Sequence, residues 1–487
     1  MEHMKRILCF IILSAIIILP SCSTKNDNAD SESTSPGVSE SETTAKENLD
    51  DLEEYNFEGK TFTVISRSIP NSVVKQIVAG DDELSEVIND AVYKRNLKIS
   101  ERFNVKIESI EYREEEFESP FKLSINAGDD LFQFTAMHII HSGVYATSGL
   151  LTDWNLIPNI DLTKPWWNQT VVKNMQIGGK LYLEQNDIPT YTVICNNHIM
   201  FYNKKIATDF SLPNLYDMVR GGKWTMDKLA EYAKLAVNDL NGDSTMDTSD
   251  QWGLIASTGS TSTLLASCNQ PIMEMDCEGL PALVLNSAKT SSIVEKVYDL
   301  CISSEATLMK PISEEDAFCR LFRDGKSLFY NGYINNCAVL RDMEDEFGLL
   351  PPPKFDEAQE GYHAQIQGNS DTVGVPKSAK AEDYEFIGTI VEAMAAESYK
   401  TVRPAIYETT LKSKYSRDID SEEMLDLVST NIFIDFGFVY HNWKGFAFPI
   451  WDLMEAKNKN FASYYDKKLK TAQSNYDEVI KTLLELE

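Results

Sequence analysis

Two runs rich in β-branched and aromatic residues, "KTFTVISRS" (Lys60–Ser68) and "NVKIESIEY" (Asn104–Tyr112), enclose a stretch with a helical period. Within that stretch Leu84, Val87, Ile88, Ala91, Val92, Ile99 and Phe103 fall on one helical face. Strand, crossover helix and strand in succession restrict the chain to a small set of folds built on parallel sheets. "FKLSINAGDDLFQFTAM" predicts a further helix and a buried strand, and "WTMDKLAEYAKLAV", "QWGLIAS", "SSIVEKVYDLCIS" and "EDAFCRLFRDGKSLFYN" continue the alternation. The expectation is an α/β class with mostly parallel sheets and no solenoid-type repeat. A length of 487 residues exceeds what one hydrophobic core organises, so two or more domains are expected. One helix start is legible in detail. In "KWTMDKL", Thr225 is placed to cap, Asp227 sits in the first turn, and Trp224 and Leu229 are spaced as a hydrophobic staple, which makes Trp224 a structural residue.

The first residues have a different composition. Lys5 and Arg6 precede the apolar run Ile7–Leu19, which has the length of a signal-peptide core and falls short of a membrane span. It ends in Leu19-Pro20-Ser21-Cys22, similar to a bacterial lipobox, with Cys22 the lipidated residue and Pro20 a departure from the commonest pattern. The polar segment after Cys22 holds too little apolar surface to fold, so residues 1–22 are assigned to a lipoprotein signal peptide and 23–56 to a disordered tether. Two acyl chains anchor stably where one does not. The protein is expected outside the bacterial cytoplasmic membrane, held by lipid. Forty-five basic against 75 acidic side chains give a net charge of −30, which repels phosphate backbones and excludes nucleic acid as a partner.

A candidate metal loop follows the helix beginning at Thr225. Asp239, Asn241, Asp243, Thr245, Asp247 and Asp250 occupy positions 1, 3, 5, 7, 9 and 12 of a calcium-loop register, in which alternating oxygens wrap a hard cation. Ser244 stands where glycine is usual, and Asp250 stands in place of the longer glutamate. The expectation is a lone, structural Ca2+ site, with an Asn/Gly/Asp-rich solvated turn as the alternative. The body's six cysteines (Cys195, Cys268, Cys277, Cys301, Cys319 and Cys337) show no C-x-x-C spacing and are expected as mostly buried free thiols, with a Cys268–Cys277 pair open.

"MFYNKKI" (Met200–Ile206), the "W-T-x-D-x-L" helix start, the Asp-rich loop ending in Trp-Gly, "FRDGKSLFYN", "FGLLPPPKFDEAQEGY" and "EAMAAESYKTVRPAIYETTLKSKYSRDIDSEEMLDLV" occur in an order that resembles the extracellular solute-binding proteins, family 1. These are the sugar-type substrate-binding lipoproteins of ABC importers. The resemblance implies a two-lobed, periplasmic-binding-protein-like type 2 fold with hinge strands, a ligand held between the lobes, and an ABC permease as partner of a monomeric receptor. On that basis residues 57–188 are the first part of the N-terminal lobe, 189–368 the first part of the C-terminal lobe, 369–415 the second part of the N-terminal lobe and 416–487 the second part of the C-terminal lobe.

Sugar sites combine aromatic faces with polar groups that bond the hydroxyls. The candidates are Met137, His138 and His141 in the loop after a buried strand, the pair Trp166 and Trp167, Asp187 and Asp371 at the two hinges, Tyr330 and Asn331 at a strand end, and Arg403, Tyr407 and Trp443 in the last part of the chain. Two other readings stay open, a glycoside-cleaving enzyme and a surface adhesion lipoprotein. Against the enzyme, the chain carries no G-x-S-x-G, no H-E-x-x-H and no phosphate-binding glycine loop.

Overall fold

A computed structural model describes residues 48–69, 72–80, 86–411 and 419–486. Cys22 and the tether residues up to 47 lie outside them. The expected tether end at residue 56 is corrected: Asp50 is buried and takes both terminal nitrogens of Arg102 at 2.8 Å, while Leu49, Leu52, Tyr55 and Phe57 pack on the core. Four apolar side chains among acidic neighbours do not stand out in composition, and the clamp on Arg102 is a long-range contact.

Among the described residues, fourteen strands form two five-stranded sheets and two short pairs. The first sheet holds β1 (Lys60–Arg67), β2 (Val105–Tyr112), β3 (Phe134–His138), β4 (Leu151–Thr152) and, from late in the chain, β13 (Asp371–Pro376), and has the order β2-β1-β3-β13-β4. The second is built from β5 (His198–Asn203), β6 (Trp252–Ser257), β9 (Thr307–Lys310), β10 (Ser327–Tyr333) and β11 (Phe347–Leu350) in the order β11-β5-β10-β6-β9. Strands β7 (Met273–Met275) and β8 (Pro281–Leu283) make a hairpin, and β12 (Ala364–Gln365) pairs with β14 (Ile432–Phe433).

The two sheets follow one plan. In each, the lobe's second, first and third strands run parallel, and an antiparallel strand separates the third from the fourth: β13 (Asp371–Pro376) in the first sheet, β5 in the second. Each antiparallel strand is the one formed by chain arriving from the other lobe. The inner parallel strands β3 and β6 are buried on both faces, in keeping with the largely apolar "FTAM" of β3 and the apolar "GLIA" of β6, while the outer strands β2 and β9 are mostly half-buried. The α/β expectation therefore holds, and so does the two-lobed fold.

The chain leaves the first lobe through Asn186–Asn197, with a short helix at Thr190–Cys195, and returns through 366–370. The two passages touch: Asn197 and Ile366 form a bridge, and the Ser370 hydroxyl donates to the Thr192 carbonyl at 2.8 Å. Asp371, fully buried beside them, accepts from Arg67 Nε at 2.6 Å, Gln76 Nε2 at 2.7 Å and Thr192 Oγ1 at 2.8 Å.

Helix Met226–Leu235 starts as its sequence specifies. Thr225 Oγ1 accepts from the Lys228 amide, and Trp224 and Leu229 are both fully buried. Beyond residue 432 the chain differs from an assignment to one lobe. Helix Phe436–Val439 lies against helix Ile139–Thr147 of the first lobe, and a Cβ on Gly143 would meet the Val439 carbonyl at 2.3 Å. The long helix Phe461–Glu485 packs on both Ile139–Thr147 and Ala288–Tyr298, so the C-terminal segment straddles the lobes. None of the six body cysteines is in a disulfide, Cys277 being exposed and the others buried, so the Cys268–Cys277 pair is not formed in this structure.

Candidate functional site

In open α/β sheets, ligands sit beyond the carboxyl ends of the parallel strands, where backbone groups and loops converge. Here β1 ends at Arg67, β2 leads into Glu114, β3 ends at His138 and β10 ends at Tyr333. Glu114 opens helix Glu114–Ala127, and His138 precedes helix Ile139–Thr147, so His141 returns one turn later to the same side. His138 Nδ1 lies 2.8 Å and His141 Nε2 3.5 Å from Glu114 Oε1, and Arg67 Nη1 lies 3.6 Å from Glu114 Oε2.

Burial raises the Glu114 carboxyl, but His138, Arg67 and His141 outweigh that effect and leave it below the usual range. Burial and the neighbouring His138 lower His141, which favours its neutral form. Among the described residues this is the group of three His, Cys, Asp or Glu side chains with ligand atoms close enough to share a metal, all within 4.8 Å.

Trp443 stands over this cluster. Its indole is 62% exposed, and its ring centroid lies 5.9 Å from that of His141. Such exposure of tryptophan is unusual. Asn442 and Trp443 both have positive φ, 45° and 60°, a conformation that costs energy in a bulky residue and marks a constrained loop. The constraint comes from below: His441 is buried against Trp443 and Phe448, and its Nδ1 accepts the Trp443 amide at 2.8 Å. Burial drops His441 to about 4, favouring the neutral ring, and the Trp443 amide bond selects the tautomer in which Nδ1 accepts.

From Arg67 the surface continues to the second lobe. Arg67 Nη2 donates to the Asn369 carbonyl, Asn196 Nδ2 donates to the same carbonyl at 2.9 Å, and Asn335 Nδ2 reaches Asn196 Oδ1 at 3.3 Å. A crevice of about 340 Å³ lies there, lined by Asn196, Tyr333, Asn335, Asn336, Gln367 and Asn369 among others. Amide groups and one tyrosine, with Ser313 and Asp316, line this crevice, and Arg67 links it to Glu114.

A second and larger crevice, about 800 Å³, opens between the first lobe and the helix Ile419–Thr430, which packs on β11 of the second lobe. It gathers five of the expected residues: Trp166, Trp167, Asp187, Arg403 and Tyr407, with Asp426 and Ser429 across from them. Arg403 Nη1 contacts both Asp187 oxygens at 3.2 and 3.1 Å, and burial lifts Asp187 to about 6. Both indole N–H groups donate to Glu392, at 3.0 and 2.9 Å, so the two tryptophans are held edge-on and largely buried rather than offered to solvent.

The remaining expected residues are placed elsewhere. Met137 is fully buried under Gly374 in the first sheet, since β3 is covered on both faces, and only His138 at its end reaches Glu114. Tyr330 stacks on Phe201 at 5.7 Å inside the second lobe, and Asn331 donates to the Ser260 carbonyl at 3.1 Å. Asp371 is consumed by Arg67, Gln76 and Thr192 as described. These four are corrected to structural positions. Glu114, Arg67 and the amides Asn196, Asn335 and Asn369 are the site residues that the sequence did not reveal.

In the loop of residues 239–250, Asp239 accepts from the Gly242 and Ser244 amides and Asp243 from that of Thr245. Asp250, buried, accepts from the Leu240 and Asp247 amides at 2.9 Å each and so ties the loop's two ends. Asn241 bonds Asp243 and Ser249, while Thr245 and Asp247 remain exposed.

The sequence matches no protein-family model and no curated protein. The fold is shared with solved substrate-binding proteins. The cyclic α-maltosyl-1,6-maltose binding protein from Arthrobacter globiformis is 15% identical, with 87% of this chain and 99% of that one covered at a TM-score of 0.57. A sugar transporter structure from Rhizobium etli in an open conformation is 14% identical, covering 88% and 100% at 0.55. A cyclo/maltodextrin-binding protein complexed with maltotetraose is 16% identical, covering 88% and 98% at 0.53. The chain has the two-lobed fold of ABC-transporter substrate-binding proteins of the sugar type.

Proposed function

We propose that this protein captures a carbohydrate, a mono- or oligosaccharide, between its two lobes and delivers it to an ABC importer. The observation that carries this reading is Trp443, an exposed indole held in a strained loop over a polar floor of Glu114, His138 and His141. An apolar ring beside charged and amide groups fits the apolar face and the hydroxyl edge of a sugar. The sugar-binding proteins that share the fold support the cargo class.

The reading extends to a lipid-anchored receptor on the outer face of a bacterial cytoplasmic membrane, from the Leu19–Cys22 lipobox and the polar segment that follows. No helix among the described residues is long and apolar enough to cross a membrane. We assign it a binding role and no catalysis, and a structural Ca2+ for the loop of residues 239–250.

A thermal-shift screen of the purified protein against mono- and oligosaccharides tests the cargo. A bound sugar at ~100 times its dissociation constant adds about 2.7 kcal/mol, and Trp443→Ala weakens binding by about 2 kcal/mol, roughly 30-fold. Stabilisation by peptides alone would overturn the cargo class. Sugar consumed during the assay would replace the receptor with an enzyme.

A further inference from the structure

We propose that Glu114, His138 and His141 form a binding site for a divalent transition-metal ion of the zinc class, with its open side toward Trp443. Two imidazoles and one carboxylate make a donor set suited to Zn2+, and three protein ligands leave a coordination position for water or a solute oxygen. Zinc bonds of about 2.1 Å in a tetrahedral site put neighbouring ligand atoms about 3.4 Å apart. The separations from Glu114 Oε1, 2.8 Å to His138 Nδ1 and 3.5 Å to His141 Nε2, bracket that value. All three ligand atoms lie within 4.8 Å of one another, so side-chain adjustment alone completes the site.

Two further observations bear on the site. Glu114 Oε1 and His138 Nδ1 are hydrogen-bonded to each other at 2.8 Å, a contact the ion would replace, while the remaining polar atoms of the pair, Glu114 Oε2 at 3.6 Å from Arg67 Nη1 and His138 Nε2, are buried without a hydrogen-bond partner. The three side chains also stand on two helix starts and a strand end, rigid supports that fix their mutual position. The neighbouring positive charge of Arg67 is offset by its bond to Asp371 at 2.6 Å, which draws the guanidinium toward the lobe interior. His141 and Glu114 are each about one-third exposed, so an ion can enter from solvent.

Isothermal titration of Zn2+ alone into the purified, EDTA-treated and desalted protein tests this. One saturable site with a dissociation constant of about 1 µM or tighter is expected, weakened at least ~10-fold by Glu114→Gln and by His141→Ala. Asp239→Asn, which alters the separate Asp-rich loop, should leave that site unchanged. Co2+ supplies a second readout, since its visible bands should appear with wild type and vanish with Glu114→Gln. Melting curves in EDTA check that the variants remain folded. Absence of saturable binding below ~100 µM, or binding that survives both substitutions, overturns the proposal. Because no sugar is present, either result leaves the solute reading standing or falling on its own test.

Discussion

Glu392 accepts the indole N–H groups of both Trp166 and Trp167 in a buried setting, and burial raises its carboxyl to about 7. The folded protein therefore holds a proton on Glu392 over a pH range where the unfolded chain has lost it. As pH rises from ~4.5 through ~7, the unfolded state gains the ionised form first, and this group's contribution to stability falls by up to about 3 kcal/mol. Glu392→Gln removes that dependence. The melting-temperature advantage of wild type over Glu392→Gln should shrink as pH rises across this window; an advantage constant between pH ~4.5 and ~7.5 would refute the assignment. His138 and His141 were legible as candidates, because two imidazoles three residues apart after a buried strand share a helical face. Their partner Glu114 was not, since it is one of three consecutive glutamates and only β-strand pairing brings it to them. Met137 illustrates the opposite error. It precedes His138 in sequence, but it belongs to a strand buried on both faces and packs under Gly374.

The loop of residues 239–250 was predicted from the spacing of its oxygens alone, and its folded form uses many of them on its own backbone amides. Calcium would have to compete with, or add to, those bonds. If the site is occupied in solution, millimolar Ca2+ raises the melting temperature and protects the loop from proteolysis, and Asp239→Asn removes both effects. Equal melting curves in Ca2+ and EDTA would reduce the loop to a solvated turn. The helix starting at Thr225 was readable to the atom because a cap, a first-turn acid and a staple are all local. The return of the chain to both lobes after residue 432 was not. It depends on Gly143 allowing the Val439 carbonyl to approach and on Asn475 bonding the Tyr440 and His441 carbonyls, contacts hundreds of residues or many helical turns apart.

Two lobes joined by adjacent passages, with Asn197 bridged to Ile366, are mechanically suited to bend about those passages. Solute contacting both the Trp443 wall and the Tyr333–Asn369 wall would draw them together. Small-angle scattering with and without a stabilising sugar should show a smaller radius of gyration in the bound protein, and Trp443→Ala should need a higher sugar concentration for the same change. Unchanged scattering at saturating sugar would argue against closure while leaving binding intact.

The alternating strand and helix patterns, the chain length and the local caps determined the α/β class and the need for more than one lobe, because periodicity acts over short spans and length limits how much one core can organise. Placement of the site required the folded molecule. Its components, Arg67, Glu114, His141, Asn369 and Trp443, are spread over more than 370 residues, and they meet because both sheets direct their strand ends toward the passages between the lobes.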